Sequence, residues 1–170
     1  MFVFSADTLE HLFTVPFKTS GGEGWGLTHD GQHFIASDGT DKLTYLTVPA
    51  NAEDEAHIIK IVQVHYAHNG KGIERINELQ YVDGVVWANV WYKDVLLRVN
   101  ASSGAVTGEI NMSSLWPKRS RTTKADCLNG IAYDADSNRF LLTGKLWDKY
   151  YWINVLDKPK KTFPSNKELL

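Results

Sequence analysis

The stretch Asn77-Glu78-Leu79-Gln80-Tyr81-Val82-Asp83-Gly84-Val85-Val86-Trp87-Ala88-Asn89-Val90-Trp91 decides the fold. Its β-branched and aromatic residues flank an Asp-Gly pair, which readily takes the positive φ of a two-residue hairpin turn. It reads as strand, tight turn, strand. The same pattern stands on either side of it. Trp25-Gly26-Leu27-Thr28-His29, Asp30-Gly31 and residues 33–38 form one copy. Residues 129–133, 134–138 and 140–145 form another. The copies begin at Trp25, Asn77 and Asn129, 52 residues apart each time.

A second pair of apolar runs follows the first two hairpins: residues 43–48 with 58–64, and 95–99 with 106–110. The opening of the chain fits such a second pair, with Phe2-Val3-Phe4, a turn at Ser5-Ala6-Asp7, and residues 11–15. The unit is therefore four strands in about 50 residues, the size of a β-propeller blade. The expected architecture is all-β: one domain over residues 1–170, a partial β-propeller. It starts within one blade, completes two, and ends near residues 150–155 after most of another. A β-sandwich or open barrel also has many short strands, but the fixed repeat favours the propeller. Rings of this kind close with about 4–8 blades. About three blades imply that others lie outside this sequence or come from a partner.

Composition narrows the function. With 18 basic and 20 acidic residues the formal net charge is -2, which leaves no electrostatic footprint for nucleic acid. Hydrophobic residues at 43% and charged residues at 22% are those of an ordinary globular chain. No apolar run reaches the ~18 residues of a membrane-spanning helix, so no membrane partner is expected. A single cysteine excludes an internal disulfide framework and a Cys-based zinc site. The N-terminus lacks the basic and apolar regions of a signal peptide, and nothing else in the sequence gives a compartment. Six tryptophans in 170 residues are the unusual feature.

In a hairpin the start of the first strand lies beside the end of the second. Trp25, Asn77 and Asn129 should therefore gather with Asp38, Trp91 and Lys145 at one end of the blades. The copies differ at these positions, as a single asymmetric site would require. The bland alternative is that the indoles pack blades and the polar groups satisfy loops. Chemically, two indole faces can wall off an amide-bearing substrate. Asn77 offers a donor and an acceptor to an amide. Lys145 offers a cation to developing negative charge, and Asp38 a carboxylate to an amine.

These residues also carry a family resemblance. Gly-Glu-Gly-Trp-Gly-Leu (22–27), Ser-Asp-Gly (37–39), Asn-Glu-Leu-Gln-Tyr-Val-Asp-Gly (77–84), Trp-Ala-Asn-Val-Trp (87–91), Leu-Asn-Gly-Ile-Ala-Tyr-Asp (128–134) and Thr-Gly-Lys-Leu-Trp (143–147) resemble the glutamine cyclotransferases, the plant-type glutaminyl cyclases. The resemblance implies a five-bladed propeller that converts the N-terminal glutamine of a peptide or protein to pyroglutamate and releases ammonia. It implies Trp25 and Trp91 as pocket walls, Asn77 on the substrate amide and Lys145 in polar stabilisation. Asp38 and Asn129 lie in family motifs without a firm role. It implies no cofactor, since plant-type enzymes work without zinc, and relatives that are often secreted, vacuolar or periplasmic.

The sequence departs from the family where the acid–base glutamate belongs. That residue sits in an early blade, in a motif resembling Phe-Thr-Gln/Glu-Gly-Leu, and no such motif precedes Trp25. Impaired activity is therefore expected for this chain, with a non-catalytic propeller that binds or scaffolds as the alternative. Glu78 follows Asn77 on a strand and is expected to face away from it. Glu23 lies in a glycine-rich loop. Residues 118–124, rich in Lys and Arg, read as a solvated loop, and Cys127 as a small buried residue. Self-association through exposed sheet edges is expected of an unclosed ring.

Overall fold

The computed structural model describes residues 1–156. Strands β1 (Phe2–Phe4) and β2 (His11–Thr14) pair as a hairpin. Strands β3 (Gly26–His29), β4 (Phe34–Ser37), β5 (Lys42–Leu46) and β6 (Ile58–Gln63) form an antiparallel sheet in chain order. After the short β7 (His65–Tyr66), a second sheet is built from β8 (Ile76–Val82), β9 (Val85–Val90), β10 (Val95–Asn100) and β11 (Ala105–Asn111). The third contains β12 (Leu128–Asp134), β13 (Arg139–Gly144) and β14 (Tyr151–Ile153). Among the described residues the fold is all-β in several open sheets, with one 3-10 turn at Lys118–Ser120.

Three apolar layers join these units. Val86, Ala88 and Val90 of β9 pack with Ile35, Leu43 and Tyr45 of the first sheet. Trp87, on the other face of β9, packs with Leu128, Phe140 and Leu142 of the third. Val15, Ala36 and Leu46 bury the N-terminal hairpin against the first sheet. A strand covered on both faces reads as a continuous apolar run, which is how β9 appears in the sequence. The first strands of the three copies neighbour one another, β3 against β8 and β8 against β12.

The Asp83-Gly84 turn has φ of 46° and 80° and is the expected two-residue hairpin. The Asp30-Gly31 turn differs. His29 pairs with Phe34, leaving a four-residue loop. There the Asp30 carboxylate accepts the backbone N–H groups of Gln32 and His33, so a side chain replaces the tight turn. No sequence pattern marks β7, which adds to β11 in parallel and covers its outer edge. Two residues are too few to show a period. The crossing depends on Gly104, at φ +75°, where a Cβ would stand 1.9 Å from the Gln63 carbonyl oxygen.

Candidate functional site at the bulged strand starts

The second and third repeats begin where the first strand departs from regular pairing. In β8, Ile76 pairs with Val90 and Leu79 with Ala88, so Asn77 and Glu78 together oppose Asn89. In β12, Leu128 pairs with Gly144 and Ile131 with Leu142, so Asn129 and Gly130 oppose Thr143. In the first copy Ser37 takes Trp25 N–H on its carbonyl and Gly26 N–H on its hydroxyl. A bulge re-aims side chains and frees them from strict alternation. The expectation that Glu78 faces away from Asn77 rests on that alternation; Glu78 lines a cleft that Asn77 does not.

Side chains clasp these irregular points from sheet to sheet. The Ser37 hydroxyl donates to the Asn77 carbonyl at 2.6 Å. The Asn129 carboxamide oxygen accepts Glu78 N–H at 3.4 Å, and that of Asn89 accepts Gly130 N–H at 2.9 Å. Asn129 thus positions the β8 bulge. Gly26 lets β3 and β8 meet, since a Cβ there would lie 2.2 Å from the Asn77 carbonyl oxygen and 2.9 Å from Glu78 Cα.

The ends of the second strands turn alike. Lys93 N–H returns to the Val90 carbonyl and Trp147 N–H to the Gly144 carbonyl. Tyr92 and Leu146, at φ of 60° and 57°, take the left-handed third position of these turns. Trp91 and Lys145 therefore occupy the same corner of equivalent turns. Arg75, also left-handed at φ 67°, donates its N–H to Gly39 and accepts that of Trp91. Gly39 is itself covered by the Trp25 ring, because a Cβ on it would meet that ring at 2.6 Å. This backbone clasp brings Trp25 and Trp91 into an edge-to-face pair, with ring centroids 5.2 Å apart.

The six sequence-expected residues have unlike environments. Trp25 is half-buried, and its indole N–H donates to Glu23. The Asn77 side chain meets no hydrogen-bond partner among the described residues, although the residue is only 4% exposed. Lys145 is exposed, and no carboxylate lies within ion-pair distance of it among the described residues. Asp38 turns inward. Its carboxylate accepts Ser20 Oγ, Gly21 N–H and both donors of Thr40. Burial alone would raise its pKa, but those hydrogen bonds win and hold it below the ordinary value. Asp38 thus holds the loop that carries Trp25.

Glu78 is the functional candidate that sequence reasoning set aside. It lines a cleft of about 430 Å³ with Met1, Phe17, Gly24, Trp25 and Leu27. Burial pushes its carboxyl above the ordinary range, and the Leu79 N–H only partly opposes this. The sequence does hold a signal for it: its equivalents are Gly26 and Gly130, so one repeat places a carboxyl where two place glycine.

The loop read as solvated is partly anchored. Arg121 pairs with Asp94 at 2.9 Å, donates to the Trp116 carbonyl and lies over the Trp147 ring. Lys118, Arg119 and Lys124 are exposed as expected, and Cys127 is buried.

Fold and site together define an all-β repeat protein in which Trp25 and Trp91 meet where equivalent strands begin and end. Residues 1–155 match the family model described as glutamine cyclotransferase, and the chain belongs to that family. It is 36% identical over 149 residues to the glutaminyl-peptide cyclotransferase of Arabidopsis thaliana, covering 86% of this chain and 44% of the relative. The glutaminyl cyclase structure from Myxococcus xanthus superposes with a TM-score of 0.77 at 31% identity, over 92% of this chain and 65% of that one. The chain thus spans less than half the length of its curated relative.

Proposed function

We propose that this chain forms the pocket-bearing part of a glutaminyl-peptide cyclotransferase, a five-bladed propeller whose four-stranded blades begin near residues 25, 77 and 129. The substrate is a peptide or protein with N-terminal glutamine. Its α-amine nitrogen attacks the γ-carboxamide carbon of the same residue. A ring C–N bond forms, the bond to the carboxamide nitrogen breaks, and the amine's proton leaves on ammonia. Ring closure is intramolecular, so orientation supplies much of the acceleration. Trp25 and Trp91 wall the glutamine side chain, Asn77 holds its carboxamide, and Lys145 stabilises the negative charge that develops on the carbonyl oxygen. Asp38 and Asn129 position this machinery through their loop and bulge contacts.

The observation that supports the reading is the edge-to-face contact of Trp25 with Trp91. Turnover by this chain alone is low on this reading, because its sequence lacks the motif to which the family resemblance assigns the acid–base glutamate. The test joins binding to turnover. A Gln-peptide should change tryptophan fluorescence saturably in the wild type but not in Asn77→Ala, with ammonia release far below that of a full-length relative. Absence of saturable binding refutes the pocket assignment. Turnover equal to the full-length relative refutes the impairment.

A further inference from the structure

We propose that Glu78 receives the α-ammonium group of the substrate and so selects peptides with a free N-terminus. This rests on the cyclotransferase reading above. The bulge in β8 places Asn77 and Glu78 side by side opposite one residue. Trp25, a wall of the glutamine site on that reading, also lines the cleft that Glu78 lines. Gly26 lets the β8 backbone at Asn77 and Glu78 approach β3 closely, and Glu78 lines the cleft beside Trp25. No other lining residue of that cleft has an ionisable side chain. Around it, the Met1 amino group donates to the Val15 carbonyl and Glu23 accepts from the Trp25 indole. The Glu78 carboxylate meets no cation and no side-chain donor among the described residues, while Asn129 fixes its backbone N–H. Asn89, across the bulge, is neutral.

A carboxylate beside apolar walls is costly without a cationic partner. The two other repeats avoid that cost with glycine at this position. A peptide α-amine, with a pKa of about 7.7–8.0, is largely protonated at neutral pH and supplies the missing charge.

The test compares glutaminyl-alanine amide with its des-amino analogue, which lacks only the α-nitrogen and cannot cyclise. Both are titrated against the full chain by tryptophan fluorescence or calorimetry. At pH 7 the wild type should bind the amine-bearing ligand about tenfold or more tightly than the analogue, as a charge-assisted hydrogen bond requires. Glu78→Gln should bind both alike, with affinity for the analogue unchanged. In the wild type the preference should shrink between pH 7 and pH 4 as the carboxyl takes up its proton. Discrimination retained in Glu78→Gln, or lost affinity for both ligands alike, overturns the proposal. If Glu78→Gln does not fold, a wild-type preference constant over that pH range overturns it. If neither ligand binds the wild type, the cyclotransferase reading itself fails and the proposal falls with it.

Discussion

Replacing Gly26 with alanine tests whether the close approach of β3 and β8 holds this part of the fold together. The new methyl would stand 2.2 Å from the Asn77 carbonyl oxygen and 2.9 Å from Glu78 Cα, both backbone atoms that no rotamer change can move. An ordinary contact starts at 3.4 Å, so the shorter approach must open by at least 1.2 Å. A gap of that size forfeits up to about half the dispersion well of the contacts it opens. Overpacking of this kind costs about 1–3 kcal/mol. The shift also strains two hydrogen bonds between the sheets, from Ser37 Oγ to the Asn77 carbonyl and from Tyr81 N–H to Thr28 Oγ1. Each contributes about 1 kcal/mol. The expected loss is therefore about 3–5 kcal/mol, measured by urea unfolding with tryptophan fluorescence. Gly31→Ala is the control. Its φ is +93° with nothing within 4 Å of the added methyl, so it pays only left-handed strain of about 1–2 kcal/mol. Equal losses in the two variants would refute the argument, since space and not φ is what distinguishes Gly26.

Arg121→Ala leaves Asp94 uncompensated and should cost about 3–5 kcal/mol in urea unfolding; a loss under about 1 kcal/mol would show that the pair is solvated. Asp38 binds its proton more weakly folded than unfolded, so its contribution is present above pH 3.8 and is lost as pH falls through the lower folded value. Asp38→Asn should be less stable than the wild type at pH 6, and the gap should close on acidification. A gap constant to pH 2 would refute this. At the open edge of the first sheet, β6 exposes Ile59 and Ile61. Analytical ultracentrifugation should show self-association that Ile61→Lys weakens, and a monomeric wild type at high concentration would refute it.

The strands were legible because each carries β-branched and aromatic residues between glycine and aspartate punctuation. The copies were legible because their starts fall at a constant spacing. Asp83-Gly84 behaved as its local chemistry dictates. Asp30-Gly31 did not, because the Asp30 side chain found two backbone donors of its own. The loop after Pro117 was read from its charge alone. What anchors Arg121 is Asp94, 27 residues earlier, together with the Trp116 carbonyl and the Trp147 ring. Such long-range pairing leaves no local pattern. Period-two reasoning does not see the bulge at Glu78, because a bulge is a property of two strands and appears in neither alone.

Irregular pairing explains why the candidate site lies where it does. Regular pairing would fix every side chain of these inner strands to one face or the other and dedicate each to an apolar layer. The bulges of β8 and β12 release two residues each from this duty. The cost is backbone irregularity, which the Ser37, Asn89 and Asn129 side chains offset by taking up backbone groups of the neighbouring sheet. Once those clasps hold, the released positions can diverge without unmaking the fold. Trp25, Asn77 and Asn129 supply an indole, an amide and a strut, while Gly26, Glu78 and Gly130 supply a close approach, a carboxyl and a second glycine. A repeat that is regular in its core and irregular at its strand starts can hold one asymmetric site without a dedicated loop to carry it.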